Sequence, residues 1–134
     1  MAGRARTADR APAKKRKLRS LKVSAGFKSF VLDQLEEVGD VTPRAMFGGV
    51  GLYHAGVFFG ILAGDTLYLK VDDSTLPDYE TAGMAAFNPY AAGTARRRSR
   101  PGGAMYYAVP LDVLESAPEL AVWARKAIAV ATSA

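Results

Sequence analysis

The sequence has 134 residues, with 18 Lys and Arg against 13 Asp and Glu, no cysteine and one histidine. This length fits one domain that buries a core without disulfides or structural metal. The lack of cysteine excludes a disulfide scaffold, a thiolate zinc site and a cysteine nucleophile. The single histidine, His54, excludes a multi-histidine metal site. An apolar fraction of 49% is too high for a chain that is disordered throughout.

The net charge of +5 is concentrated at the start of the chain. Residues 1–22 contain nine Lys and Arg and one acid, for a net charge of +8, whereas residues 23–134 have a net charge of −3. We therefore predict a disordered basic arm, residues 1–22, and one mildly acidic domain, residues 23–134. The simplest expectation for this arm is a solvated tail that only aids solubility, and the alternative is that it neutralises phosphates without reading sequence. The nucleic-acid candidates in the arm are Lys14, Lys15, Arg16, Lys17 and Arg19.

A second basic run lies inside the domain, in residues 85–103, which are rich in Ala, Gly, Pro and Arg. We predict that this stretch is a loop, interrupted by an edge strand near Phe87. The simplest expectation is a solvated loop without a ligand, and the alternative is phosphate binding, because guanidinium groups on a loop bind phosphates well. The nucleic-acid candidates in this run are Arg96, Arg97, Arg98 and Arg100.

No segment of the sequence has the features of an export signal or a membrane span. The arm lacks the apolar stretch of about 7 or more residues that a secretory signal needs. No run approaches the roughly 18 apolar residues of a membrane helix. We therefore expect a bacterial protein of the cytoplasm that has no membrane partner.

The domain opens with a helix and continues with strands. Apolar residues recur at steps of three and four over residues 24–38, which predicts a helix with Ser24 as its N-cap and Gly39 after its end. Three runs then have strand character, and the short connections between them contain glycine, as in hairpins. The middle run is apolar on both faces, as expected for a central strand. The three predicted strands are residues 47–53, 57–62 and 66–71.

In the second half of the domain, the sequence predicts a short helix, a strand, a helical turn and a long last helix. A short helix is expected over residues 75–83, a strand over 104–109 and a helical turn over 110–115. The last helix begins with a capping box at residues 116–119, and Trp123 on its apolar stripe is expected to anchor the core. This order predicts an α+β domain, in which the N-terminal and C-terminal helices pack against an antiparallel β-meander sheet.

No arrangement of residues predicts an active site. The run Gly48-Gly49-Val50-Gly51 lacks the Lys and Ser or Thr of a phosphate-binding loop, and it precedes a strand instead of a helix. Asp73 and Ser74 are expected to cap a turn, within an acidic group that does not bind metal. His54 is expected to be exposed in a hairpin turn without a partner. We therefore predict a non-enzymatic protein with no catalytic residue, metal or cofactor.

The run Arg44-Ala45-Met46-Phe47-Gly48-Gly49-Val50-Gly51-Leu52-Tyr53 resembles the N-terminal domain of the TfoX/Sxy competence regulators. Further segments resemble the same family in the same order, so that the resemblance covers about residues 26–131. These segments are Gly56-Val57-Phe58-Phe59, Leu67-Tyr68-Leu69-Lys70-Val71-Asp72, Met105-Tyr106-Tyr107 and Leu120-Ala121-Val122-Trp123-Ala124. The residues of the family motif are Arg44, Met46, Phe47, Gly48, Gly49 and Gly51.

The resemblance implies a fold, a role and a set of partners. The fold is expected to be a helix–strand sandwich like that of type III secretion chaperones, in a single-domain member of the family. The role is expected to be regulatory or accessory, in competence and transcription, through protein contacts with a transcription activator or through a homodimer. Nucleic-acid binding through the arm and the arginine run is the alternative function.

Overall fold

The structure, a computed structural model, describes residues 20–88 and 105–133 of the chain. All nucleic-acid candidates predicted in the arm and in the arginine run lie outside these residues. The described chain forms five strands and four helices. In chain order they are α1 (Ala25–Gln34), β1 (Val41–Met46), β2 (Gly49–His54), β3 (Val57–Ala63), β4 (Thr66–Val71), α2 (Leu76–Thr81), β5 (Met105–Ala108), α3 (Leu111–Leu114) and α4 (Ala117–Ser133).

The five strands form one antiparallel sheet in chain order, β1-β2-β3-β4-β5. Its first three connections are hairpins with two-residue turns, and both turn residues have positive φ in each of them. This is the geometry of the type I′ turn, whose twist matches that of the flanking strands. The sheet and its helices confirm the predicted α+β arrangement. The pairs that close the hairpins are Met46 with Gly49, His54 with Val57 and Ala63 with Thr66.

One face of the sheet carries the main hydrophobic core and is covered by helices. α4 packs across β3 and β4, and α1 and α3 pack against α4. Trp123 lies at the margin of this core, edge-on to Tyr79 with ring centroids 4.7 Å apart. Each fully buried large side chain contributes about 2 kcal/mol to stability. Those supplied by the strands are Leu52, Phe59, Leu62, Leu67 and Leu69.

The opposite face of the sheet, called the second face below, carries a smaller cluster formed without helix residues. Its buried members are Leu21, Ile61, Ala63, Tyr68 and Ala108, with Phe58, Met84, Phe87 and Tyr106 at its margin. The segment at Leu21 is attached by the Gly64 N–H, which donates to the Leu21 carbonyl oxygen at 3.3 Å. The segment at Phe87 is attached by its own N–H, which donates to the Tyr106 carbonyl oxygen at 2.7 Å. Two short segments thus cover this face where helices cover the other.

The prediction for the first hairpin was wrong in one respect. A strand was expected over residues 47–53, whereas the chain enters the sheet at Val41 and turns at Phe47 and Gly48. Pro43 in β1 has no N–H to donate, so this strand is acceptable only at the edge of the sheet. Proline and the weak alternation of β1 hid it from sequence analysis.

Both predicted helix caps are present, although α1 is shorter than expected. The Ser24 hydroxyl accepts a hydrogen bond from the Phe27 N–H at 3.1 Å, and the Ser116 hydroxyl accepts one from the Glu119 N–H at 3.4 Å. α1 ends at Gln34, and a turn over residues 35–38 leads to β1. Within residues 20–88 and 105–133, no helix is long and apolar enough to cross a membrane.

The remaining short elements follow the predictions closely. The expected edge strand near Phe87 is reduced to a single bridge between Ala86 and Tyr107. The strand expected at residues 104–109 is β5, and the expected helical turn is α3. The predicted loop between Phe87 and β5 otherwise lies outside the described residues.

Gly49 occupies a place where the fold has no room for a side chain. A Cβ atom there would lie 2.6 Å from the Leu62 carbonyl oxygen and 3.3 Å from the Leu21 carbonyl oxygen. Both neighbours are backbone atoms, so they cannot rotate away. We predict that Gly49→Ala lowers the free energy of unfolding by about 1–3 kcal/mol, measured by urea denaturation.

Gly26→Ala is the matched control for this change. Gly26 lies in α1, and a Cβ atom there would meet nothing within 4 Å. Because alanine has a higher helix propensity than glycine, this variant should be up to about 1 kcal/mol more stable than the native protein. A Gly49→Ala variant as stable as Gly26→Ala would contradict the close approach of the two carbonyl groups.

Candidate interaction surface

The six motif residues come together on the β1–β2 hairpin. Arg44 pairs with Gly51, and Met46 pairs with Gly49. Directly opposed residues of antiparallel strands point to the same side of a sheet, and these four lie on the second face. Phe47 and Gly48 form the turn, called the hairpin tip below. The motif therefore supplies one edge of the second face and the tip that projects from it.

Phe47 at the hairpin tip is exposed and has an unfavourable backbone conformation. Its accessible fraction is 82%, the largest among the exposed large apolar side chains of the described residues. Its φ is 49°, in the left-handed region, which costs a residue other than glycine about 1–2 kcal/mol. Asn, Asp and Gly are the usual residues in such turns. The residue at this position is thus poorly suited to fold stability.

Gly51 allows three side chains to converge over β2. A Cβ atom there would lie 2.8 Å from the sulfur of Met46, 3.1 Å from the ring of Phe58 and 3.3 Å from the ring of Tyr53. Any side chain at this position would have to displace them. The absence of a side chain at Gly51 therefore lets these three side chains pack directly over the backbone of β2 on the second face.

A row of aromatic rings crosses the second face from β2 to β5. The ring centroids of Tyr53 and Phe58 are 5.2 Å apart, and those of Phe58 and Tyr106 are 5.6 Å apart. Neighbouring rings are tilted by 34° and 42°, and all three side chains are half-buried. The guanidinium carbon of Arg44 lies 5.0 Å from the centroid of the Tyr53 ring, within the range of a cation–π contact. Tyr53, Phe58 and Tyr106 are called the aromatic row below.

The charges of the described strands are all positive. Their sequences contain no Asp or Glu, and their charged residues are Arg44 and Lys70. Lys70 is half-buried and pairs with Tyr106, so it lies on the second face beside the aromatic row. All twelve acids of residues 23–134 lie in helices and connections. The second face is therefore the side of the sheet that favours an anion.

The described residues that adjoin the two basic segments also belong to the second face. Leu21, which lies near the end of the basic arm in sequence, is buried in the cluster on this face. Phe87 and Met105 stand on either side of the arginine run in sequence. Phe87 donates its N–H to Tyr106, and Met105 is the residue before Tyr106 in β5. The chain therefore leaves and re-enters the described fold next to the aromatic row.

Comparison with protein-family models matches residues 33–131, most of the chain, to the TfoX N-terminal domain. The chain belongs to the TfoX N-terminal domain family. The matched range contains all five strands and all six motif residues, whereas the basic arm precedes it. A search of curated proteins found no match.

His54 of this TfoX N-terminal domain is not the exposed, unpartnered residue that the sequence predicted. It is the last residue of β2 and is half-buried, and its Nδ1 lies 3.0 Å from the Gly39 carbonyl oxygen. Because a carbonyl oxygen only accepts, Nδ1 donates in this contact. The neighbouring Ala55 N–H donates to the Asp40 carbonyl oxygen at 3.2 Å. His54 thus fixes the connection from α1 to β1, which is a structural role.

The acidic residues after β4 also have a structural role. Asp72, and not Asp73 as predicted, caps the turn, because its Oδ1 accepts from the Ser74 N–H at 2.9 Å and from the Ser74 hydroxyl at 2.7 Å. The hydrogen bonds from Ser74, and weaker ones from Thr75, hold the pKa of Asp72 below its usual value. Among the residues that the structure describes, no group of three His, Cys, Asp or Glu could hold a metal ion.

Sequence reasoning found the motif but missed its neighbours on the second face. Tyr53 was seen only as the end of the motif, Phe58 as part of a strand that is apolar on both faces, and Lys70 and Tyr106 as members of predicted strands. Successive side chains of a strand point to opposite faces, so the sequence separates Lys70 and Tyr106 from their immediate neighbours within each strand. Their meeting with Tyr53 depends on the strand register and on the bulge between Leu52 and Tyr53, which no local pattern reveals.

The aromatic row should be visible in an alkaline titration. Burial, and to a lesser degree the nearby Tyr53, raises the pKa of Tyr106 from 10.0 to about 12. Since the fold favours the neutral phenol, its stabilising contribution is complete below pH 10 and is lost as the pH rises towards 12. We predict that tyrosinate absorbance shows a transition near pH 12 that Tyr106→Phe removes.

Tyr79→Phe is the control for this titration. Burial, with a smaller contribution from the charge of Asp78, raises the pKa of Tyr79 as well. Tyr79 lies on the helix side of the sheet, so the transition near pH 12 should persist in Tyr79→Phe. If Tyr106→Phe removes tyrosinate absorbance that appears near pH 10 and leaves a transition near pH 12 unchanged, the burial of Tyr106 in the row is contradicted.

Proposed function

We propose that this TfoX N-terminal domain is a non-enzymatic regulatory or accessory module that binds another protein through its hairpin tip. The observation that carries the proposal is Phe47, an exposed aromatic residue in a left-handed conformation at the centre of the family motif. Membership of the TfoX N-terminal domain family supports a role related to competence. The proposed setting is transcription regulation in the bacterial cytoplasm.

The exposure of Phe47 is unfavourable in two ways that binding would offset. A buried Phe side chain contributes about 2 kcal/mol, which an exposed one does not supply. Its left-handed backbone costs at least about 1 kcal/mol more. Residues in sparsely populated backbone conformations cluster at functional sites, and aromatic anchors dominate protein interfaces. Phe47 therefore has the properties of an anchor that enters an apolar pocket on a partner.

The family suggests a transcription activator as the partner that binds the hairpin tip. A second copy of this chain is the alternative partner. The proposal of a non-enzymatic role is supported by the engagement of His54 and Asp72 in structural hydrogen bonds. The proposed function needs no cofactor or metal.

Phe47→Asn separates the role of the aromatic ring from that of the turn. Asn tolerates the left-handed conformation, so this variant should be about 1 kcal/mol more stable by urea denaturation while its partner binding is abolished. Ala55→Asn is the matched control, because Ala55 has a φ of 48° in the next hairpin turn and carries no ring. It should gain similar stability and keep full binding.

Binding is measured by placing a photo-cross-linking amino acid at position 47 and at position 55 and identifying the products by mass spectrometry. Position 47 should yield one reproducible partner, and position 55 should not. A product of twice the chain mass identifies a homodimer, and a product with another protein identifies the regulatory partner. Equal yields at both positions, or none at position 47, would refute the role of the tip.

Nucleic-acid binding through the basic arm and the arginine run is a second candidate function. The observation that favours it is that Leu21, near the end of the basic arm, and Phe87, which precedes the arginine run, pack in one cluster on the second face. Two positively charged segments that begin on one face can contact one polyanion together. The phosphate backbone would be the ligand, without sequence preference.

This second function predicts a steep salt dependence that depends on the basic segments. Replacing the five arm candidates by Gln in the full-length chain should weaken duplex DNA binding. The slope of log affinity against log salt should fall by about 0.9 for each phosphate that the variant no longer neutralises. Replacing Arg96, Arg97, Arg98 and Arg100 by Gln should have a comparable effect. Unchanged affinity in both variants, or no binding at low salt, would rule this function out.

A further inference from the structure

We propose that the second face binds single-stranded nucleic acid, with Arg44 and Lys70 on the phosphates and the aromatic row against unpaired bases. This inference deepens the second candidate function and rests on it. It assigns a contact surface within the described residues, separate from the basic arm and the arginine run. The residues proposed to form it are Arg44, Tyr53, Phe58, Lys70 and Tyr106.

The first support is the combination of rings and cations in one row. Arg44 lies 5.0 Å from the centre of the Tyr53 ring, and the row continues through Phe58 to Tyr106 at centroid spacings of 5.2 and 5.6 Å. Lys70 pairs with Tyr106 and lies in β4, the strand between those of Phe58 and Tyr106. Cations beside partly exposed rings form an arrangement by which proteins hold single strands, with backbone contacts and base stacking together.

The second support is the distribution of charge around this face. The five strands contain no carboxylate, and all acids of residues 23–134 lie in helices and connections. Outside the described residues, the sequence adds a net charge of +7 in residues 1–19 and four arginines between residues 96 and 100. Both of these segments adjoin second-face residues. Because the strands contain no acid, an anion on this face meets no nearby acid among them.

The third support is the way in which side chains pack over Gly51. Met46, Tyr53 and Phe58 lean over this glycine, so the rings lie low against the sheet instead of projecting from it. A flat, shallow surface suits the face of an unpaired base, whereas paired bases in a duplex are stacked and out of reach. An acidic polypeptide would meet the same cations, but it would gain little from the rings. A single strand uses both features, so it is the occupant that the observations favour.

The test measures binding of the full-length protein to a fluorescent oligothymidylate of about 10 nucleotides. The double variant Arg44→Gln with Lys70→Gln should weaken binding and lower the slope of log affinity against log salt by about 1.4, that is by about 0.7 for each phosphate. The matched control is Arg125→Gln with Lys126→Gln. These residues lie on α4, form exposed ion pairs with Glu37 and Asp78, and carry the same charge. The control should change the slope little.

The aromatic row is tested separately from charge. Tyr106→Leu should weaken oligothymidylate binding between about 5-fold and about 150-fold, which corresponds to the loss of one stacked base. Tyr106→Phe keeps the ring and should bind like the native protein. Ultraviolet cross-linking of the native complex should attach thymine to a peptide that contains Tyr53, Phe58 or Tyr106. This last readout does not depend on the folding of any variant.

The outcomes distinguish this inference from the function on which it rests. If neutralising the arm abolishes binding while the Arg44 and Lys70 variant and Tyr106→Leu bind normally, the second function stands and the surface proposed here is wrong. An equal effect in the α4 control shows that net charge alone acts, which overturns the proposal. Competition by poly-glutamate that equals competition by unlabelled oligothymidylate indicates an acidic protein instead. If the full-length chain does not bind at low salt, both proposals fail.

Discussion

The sheet buries apolar side chains on both faces, but helices cover only one of them, and much of the structure follows from this constraint. β3 shows it most clearly, because Phe59 and Leu62 face the main core while Ile61 and Ala63 face the opposite cluster. That second cluster needs a cover, and the segments at Leu21 and Phe87 supply it. Backbone hydrogen bonds to Gly64 and Tyr106 hold the two segments in place.

This cover explains why the family motif is rich in glycine. The segment at Leu21 can approach β2 only because Gly49 has no side chain, and the rings of Tyr53 and Phe58 can lie against the sheet only because Gly51 has none. Gly48 has a different purpose, since its φ of 87° completes the type I′ turn. Three glycines in a short run thus meet three separate steric requirements. Phe47 meets none of them, which sets it apart from the rest of the motif.

The sequence predicted the class of fold well because most of its signals are local. Ser24 and Ser116 cap helices where the capping pattern places them, and β4 has the predicted bounds. β1 was missed because Pro43 and weak alternation conceal an edge strand, whose stability comes from its pairing with β2. Asp72 and His54 were misjudged because their hydrogen-bond partners depend on backbone turns. The candidate surface was predicted only in part, since the meeting of Arg44, Tyr53 and Tyr106 requires the register of the whole sheet.

The two proposed surfaces lie at different ends of the first hairpin, and this separation lets them act together. Phe47 lies in the turn at the same end of the sheet as the β3–β4 connection, because the start of β2 pairs with the end of β3. Tyr53 is about six residues further along the chain, which corresponds to about 20 Å of extended strand. A protein bound at the hairpin tip therefore need not cover the aromatic row, and a strand of nucleic acid on the row need not reach the tip. In this geometry, one small domain can bring a protein partner close to a nucleic acid without any catalytic step.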